Sequence, residues 1–210
     1  MITYNSIDGI NRNRNLGKDA YSFYKYDGSN LRWEWNKKNG FYKFGTRKRM
    51  FDHTDEQFGD AVELFKNNYE EKISKILVDN YRQDKVVIFT EYLGDKSFAG
   101  FHNKDDIKRL VLFDVHIIKR GIISPKDFLK LFGDLDFSAE FLGNVRFNQQ
   151  YIEEVRQNVD GKLNEGVVCK GSSGHNLWMS KIKTLSFLDK LKNTYQKEWE
   201  ENQKEQSIIF

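Results

Sequence analysis

The 210-residue sequence predicts an α+β fold, and three observations carry that prediction. The opening third alternates aromatic and polar residues at the strand period, two later runs are apolar on both faces, and apolar residues recur at helical spacing from Phe58 onward. Residues 20–26 and 31–36 read as strands, the second placing Leu31, Trp33 and Trp35 on one face and Arg32 and Glu34 on the other. Asn39-Gly40 offers a positive-φ turn into a strand over residues 41–45, so the segment reads as an antiparallel ribbon. Thr54 and Gln57 form a capping box ahead of one long amphipathic helix that runs from Phe58 through Phe65 and Tyr69 to Ile76. Residues 86–93 and 110–118 are expected as central strands covered from both sides. Ser124-Pro125 starts a short helix, residues 141–147 and 166–170 are strands, and residues 149–158 form a helix between them. Phe187, Leu188, Leu191, Tyr195 and Trp199 mark a last helix.

Length and composition bound the function. The chain is expected to form a single domain over residues 1–210, with residues 186–210 docked on it as a C-terminal helix. Hydrophobic residues at 39 %, aromatics at 15 % and charged residues at 31 % exclude a disordered chain. No apolar stretch approaches the roughly 20 residues of a membrane span, and Met1-Ile2-Thr3-Tyr4 opens no signal peptide. A soluble, cytoplasmic monomer with no membrane partner is the expectation. Cys169 is the single cysteine, which excludes an internal disulfide and a cysteine zinc cluster.

Charge is unevenly placed. The net charge is only +3, yet the first 50 residues hold 11 Lys or Arg against 4 acids, whereas residues 51–80 hold 3 against 8. Such concentration suits a polyanionic ligand. Arg47-Lys48-Arg49 is the densest part, and Trp33, Trp35 and Phe41 nearby either stack on bases or belong to the core.

Several charged residues sit where a strand should be apolar. Lys25 lies two residues before Asp27-Gly28, which on its plain reading is a hairpin turn. Glu91 closes an apolar run and calls for a cationic neighbour. Asp114 interrupts another, and His116 two residues on is the local candidate to pair with it. Glu165 precedes Gly166, a residue that permits close backbone approach to a ligand. Lys181 and Lys183 share a strand face, where they either protect an edge or flank an anion.

Their order along the chain is more specific than any one of them. Lys25-Tyr26-Asp27-Gly28, Thr46-Arg47, Phe89 to Gly94, Phe113-Asp114-Val115, Glu165 to Val168 and Lys181-Ile182-Lys183 together resemble the nucleotidyltransferase motifs of ATP-dependent ligases. Asn30 completes a Lys-x-x-Gly-x-Asn opening that most resembles phage-type RNA ligases.

The resemblance implies a ligase adenylation fold of antiparallel sheets flanked by helices, without an OB domain, since 27 residues follow Lys183. It implies an ATP-dependent RNA ligase that uses Mg2+ or Mn2+. Lys25 would take AMP from ATP, pass it to an RNA 5′-phosphate, and release it when a 3′-hydroxyl attacks. A minimal DNA ligase and a non-catalytic nucleic-acid-binding module are the alternatives. Lys25, Glu165, Lys181 and Lys183 are the catalytic residues it implies. Tyr24, Tyr26, Asn30, Arg47, Glu91, Phe113 and Lys170 are the nucleotide contacts, with Phe113 stacking on adenine. Glu91 and Glu165 are placed near the metal through water. An unperturbed lysine has a pKa of about 10.4, so a neutral amine at pH 7 costs roughly 4–5 kcal/mol. Lys181, Lys183 and the metal are expected to disfavour the charged form of Lys25. Strand parity is expected to put Phe113 and Asp114 on opposite faces, so that only one looks into a shared pocket. The same parity is expected to put Glu165 and Lys170 on opposite faces unless a bulge intervenes. Nucleic acid binds either to this core unaided or with an auxiliary substrate-binding partner.

Overall fold

The computed structural model describes residues 2–10, 15–82, 84–95, 97, 102, 105–173 and 176–194. In chain order the elements are β1 (Asp8–Gly9), β2 (Lys18–Lys25), β3 (Ser29–Asn36), β4 (Gly40–Thr46), β5 (Met50–Phe51), α1 (Gly59–Asn68), α2 (Glu70–Tyr81), β6 (Lys85–Leu93), β7 (Arg109–Ile117), β8 (Gly121–Ile122), α3 (Pro125–Phe132), β9 (Phe141–Phe147), α4 (Gln149–Gln157), β10 (Gly166–Ser173), β11 (Asn176–Lys183) and α5 (Leu185–Thr194). They divide into two compact units, one of residues 1–5 and 27–139, the other of residues 6–26 and 140–210.

In the first unit a six-stranded sheet has the order β5-β4-β3-β6-β7-β8, antiparallel throughout. Leu31, Trp33 and Trp35 are buried on the face that alternation assigns them, and Trp33 stacks on Phe65 of α1 with ring centroids 4.1 Å apart. With Phe41 also buried, the two alternatives for these rings resolve to the core. Arg32, on the opposite face, is buried too, its guanidinium donating to the Ile2 carbonyl. Gly40, at φ +63°, closes the β3–β4 hairpin.

The single helix expected after Thr54 is two. It breaks at Tyr69 (φ −125°, ψ −34°), whose ring meets Phe137 edge-on and whose hydroxyl accepts from the Leu110 amide at 3.2 Å. Seating Tyr69 in these contacts takes precedence over helical continuity. The capping box also fails to form: Asp55 Oδ1 accepts from the Gln57 and Phe58 amides, while Thr54 Oγ1 donates to Asp52. Ser124, by contrast, caps α3 as expected, accepting from the Asp127 amide at 3.1 Å.

The second unit has a five-stranded sheet in the order β1-β11-β10-β2-β9, antiparallel except for the parallel pair β1–β11. β2 and β3 therefore lie in different sheets, and Asp27-Gly28 is a crossover between them rather than a hairpin turn. Ala20, Val167, Cys169 and Ile182 project from one sheet face onto Ile152 and Val155 of α4. Asn148 caps α4 through the Tyr151 amide, and Asn158 ends it in a left-handed conformation. Phe187 buries the start of α5; Tyr195, Trp199 and the rest of residues 195–210 lie outside the described residues. No helix among the described residues is long and apolar enough to cross a membrane.

Candidate active site

In the second unit, strand pairing puts chemistry on the sheet face opposite α4. β10 lies between β2 and β11, so the register sets Lys25 and Lys183 on either side of Gly166, Phe23 and Lys181 on either side of Val168, and Tyr21 and Met179 on either side of Lys170. Directly opposed residues share a face. Lys25, Lys170, Lys181 and Lys183, scattered over 159 positions of sequence, thus form one cationic field.

Glu165 stands in that field. Its Oε2 accepts from Lys25 Nζ at 2.6 Å and its Oε1 meets Lys183 Nζ at 3.0 Å. The carboxylate side chain is 5 % exposed against 20 % and 25 % for the two lysines. Burial pulls the Glu165 carboxyl upward, but the charges of Lys25 and Lys183 outweigh it and hold the group below the usual glutamate range. This corrects the expectation of a lysine crowded by cations: a carboxylate intervenes between Lys25 and Lys183.

Backbone geometry explains how Glu165 reaches this face. Gly166 has φ +144°, and a Cβ there would lie 2.0 Å from the Ile182 carbonyl oxygen. The expected close approach is therefore to the chain's own strand β11, not to a ligand. The unusual torsion at Gly166 interrupts strand parity, so Glu165 and Lys170 both serve the Lys25 face, contrary to the simple count. Thr184 secures the other end, its amide donating to the Glu165 carbonyl at 3.0 Å and its hydroxyl to the Asn164 carbonyl.

Aromatic rings support the lysines. Lys170 Nζ lies 4.9 Å from the centroid of Phe23, and Lys183 Nζ lies 4.9 Å from that of Phe187. The sequence motifs include neither ring, although Phe187 lies four residues beyond Lys183 and Phe23 two before Lys25, both visible spacings. Tyr24 falls on the α4 side of β2, opposite Val167; its hydroxyl accepts from the Asn164 amide at 2.9 Å and its ring meets that of Tyr26 at 4.8 Å. On that side too, burial pushes the Cys169 thiol up to about 12, which makes it an unreactive core residue.

The first unit gathers most of the remaining predicted contacts on one sheet face. Asn30 opposes Glu91 across β3 and β6, and Phe89, two residues before Glu91, opposes Asp114. The β6–β7 register then slips, leaving Phe113 as an extra residue between Asp114 and Leu112. Tyr4 meets the consequence: its hydroxyl donates to Asp114 Oδ2 at 2.5 Å while its ring lies edge-on to Phe113 at 5.1 Å and Phe89 at 4.9 Å. Both Phe113 and Asp114 thus touch one side chain, contrary to the expectation from strand parity. Asp114 pairs with Tyr4 in place of His116, whose buried Nδ1 has no hydrogen-bond partner.

Tyr4 is 6 % exposed. Burial, then the charges of Asp114 and Glu91, push its phenol well above the usual range, while Arg47 acts in the opposite sense. Arg47 and Glu91 are therefore both within electrostatic reach of Tyr4. Arg47 itself is exposed, whereas Arg49 in the same basic run is tied to Asp55. Nothing in the local pattern around Met1–Tyr4 signals this role.

The described residues contain no group of three or more His, Cys, Asp or Glu able to hold a metal. Single carboxylates such as Glu91 and Glu165 suit instead a hydrated magnesium or manganese ion that takes most of its ligands from water and phosphate.

Residues 23–184 match the model of the RNA ligase family. No curated protein matches the sequence. Among solved structures the chain is similar to an RNA ligase of Naegleria gruberi. An apo form gives a TM-score of 0.66 at 16 % identity, covering 91 % of this chain and 58 % of that one. A pyrophosphate-bound form gives the same four values. A form with ATP and manganese gives a TM-score of 0.65 at 16 % identity, with 90 % and 58 % covered. The chain thus spans less than two thirds of the length of that ligase, and at this identity the likeness is one of fold. The family match covers the stretch that contains Lys25, Glu165, Lys181 and Lys183, and on it the chain belongs to the RNA ligase family.

Proposed function

We propose that this chain is an ATP-dependent RNA ligase whose nucleophile is Lys25. The supporting observation is that Lys25 and Lys183 share the single carboxylate of Glu165, with Lys170 and Lys181 on the same sheet face. One carboxylate offsets one of these ammonium charges. The surplus is suited to the phosphates of ATP and to charge that develops during phosphoryl transfer.

Lys25 Nζ, once deprotonated, attacks the α-phosphorus of ATP; the N–P bond forms as the bond to pyrophosphate breaks. An oxygen of an RNA 5′-phosphate then attacks the same phosphorus, and the N–P bond breaks with return of a proton to Lys25. Attack of a 3′-hydroxyl on the activated 5′-phosphorus joins the strand and expels AMP. Glu165, a weak base because of its depressed pKa, holds and aims the Lys25 ammonium rather than deprotonating it. Lys181 and Lys183 carry phosphate charge, Lys170 and Arg47 add phosphate contacts, and Phe113, held by Tyr4, presents a ring to adenine. Asn30 and Glu91, register partners across β3 and β6, would take the ribose hydroxyls. Glu91 in the first unit and Glu165 in the second are the carboxylates that would hold a hydrated magnesium or manganese ion through water, and such an ion would supply further neutralisation of phosphate charge. RNA ends bearing a 5′-phosphate and a 3′-hydroxyl are the substrates, with or without an auxiliary substrate-binding protein.

The test is covalent labelling with ATP carrying a tagged α-phosphate. Wild-type protein becomes labelled through an acid-labile, base-stable bond, and Lys25→Ala, folded as judged by circular dichroism, takes up no label. Label retained by Lys25→Ala removes Lys25 as the nucleophile.

A further inference from the structure

Beyond the lysines, the same face of the five-stranded sheet continues into an aromatic shelf that the reaction just described does not use. Tyr21 and Phe23 on β2 are followed across the sheet by Phe141 on the edge strand β9, with ring centroids 5.9 Å and 5.5 Å from Phe141. Phe23 is buried beneath Lys170, but Phe141 keeps 37 % of its surface exposed. A β-bulge at this point of the β2–β9 pair, between Ser22 and Phe23, leaves Leu142 as the extra residue and it too is 40 % exposed. The bulge restores the register so that Phe141, not Leu142, opposes Phe23 and shares its face.

Charge surrounds the shelf. Lys25, Lys170, Lys181 and Lys183 lie on one side, and Arg146, opposite Asp19 further along β9, lies on the other. Among the described residues, the carboxylates that register and ion pairs put on this face are Glu165, engaged by two lysines, and Asp19, engaged by Arg146. A half-exposed aromatic ring set among cations is suited to an unpaired base with its phosphates. Strand geometry places the backbone of Phe141 about 8 Å from that of Lys25, one residue pair along and one strand across, which is the reach of about one nucleotide.

We propose that Phe141, backed by Tyr21 and Phe23, is a stacking platform for an unpaired base of the RNA strand next to the adenylated lysine, with Arg146 holding the phosphate beyond it. The proposal rests on the ligase reading for its substrate. It makes the platform part of strand recognition and leaves formation of the lysyl-AMP bond independent of it.

Phe141→Leu and Phe141→Trp separate the two. Binding of a fluorescent single-stranded oligoribonucleotide of about a dozen nucleotides, lacking a 5′-phosphate, is followed by anisotropy alongside AMP labelling. Stacking on one base predicts that Phe141→Leu weakens binding about tenfold, that Phe141→Trp restores it, and that all three proteins label equally. A blunt RNA duplex, which offers no unpaired base, binds wild type and Phe141→Leu alike. Unchanged oligoribonucleotide binding by Phe141→Leu overturns the platform, as does failure of Trp to restore it or an equal loss on the duplex. Arg146→Gln, an exposed change that spares the rings, lowers the salt dependence of RNA binding; an unchanged salt dependence overturns the phosphate assignment. Wild-type protein that takes no label from ATP, yet binds RNA through Phe141, overturns the ligase reading and leaves the platform standing.

Discussion

Glu165 shows how a residue can be stabilised and committed to function by the same contacts. Its buried carboxylate is tolerable because Lys25 and Lys183 occupy its two oxygens. The pair has a definite pH dependence. A carboxyl held below its ordinary value of 4.5 adds stability that is fully present above that value and is lost as the pH falls through the lower, folded one. Replacing Glu165 with Gln should cost about 3 kcal/mol at pH 7, the low end for breaking a buried pair because both lysines retain access to solvent. Denaturant melts of wild type and Glu165→Gln should therefore converge as the pH is lowered below 4. A difference that stays constant from pH 7 to pH 3 would contradict the ion-pair account. Tyr4 is comparable: its hydroxyl satisfies Asp114 while its ring fixes Phe113, so one residue serves both a buried charge and a presented ring.

At the level of elements, departures from regular strand geometry place the site. The slip between β6 and β7 brings Phe113 and Asp114 against Tyr4, and the one between β2 and β9 brings Phe141 against Phe23. The start of β10 is the third. Gly166 combines a positive φ with backbone contact on β11, so no side chain fits there without moving one strand. Gly166→Ala should destabilise the protein by about 3 kcal/mol and loosen the β10–β11 pair. Hydrogen exchange of the Val167 and Ile182 amides is the measurement, and protection equal to wild type would show that the strands accommodate the methyl group. Because Glu165 precedes this position, the same substitution should lower AMP labelling without altering any charged group.

For the whole molecule, the path of the chain matters. Residues 1–5 belong with residues 27–139, and residues 6–26 with residues 140–210, so neither compact unit is a continuous piece of sequence. Tyr4 and Lys25, only 21 positions apart, serve different units. The expectation of one domain becomes a prediction about cooperativity: an interleaved chain should unfold in a single calorimetric transition whose van't Hoff and calorimetric enthalpies agree. Two resolved transitions would instead assign separate stability to each unit.

Much of this fold is legible in local pattern. Alternation places Trp33 and Trp35 on the buried face of β3, Asn39-Gly40 marks a hairpin, Ser124-Pro125 starts α3, and residues 141–147 are a strand with the bounds expected. Each depends on interactions a few residues apart, which periodicity and turn chemistry encode directly. The ordered motifs likewise select Lys25, Glu165 and Lys183 without any coordinates. What they lack is the arrangement. That Glu165 bridges two lysines, that Tyr4 and not His116 satisfies Asp114, that β2 and β3 enter different sheets, and that Lys170 and Phe141 share the face of Lys25 all depend on pairings between distant segments. Such pairings are set by which buried surfaces and strand edges find partners in the folded chain, and a one-dimensional pattern carries the residues for them but not the register that brings them together.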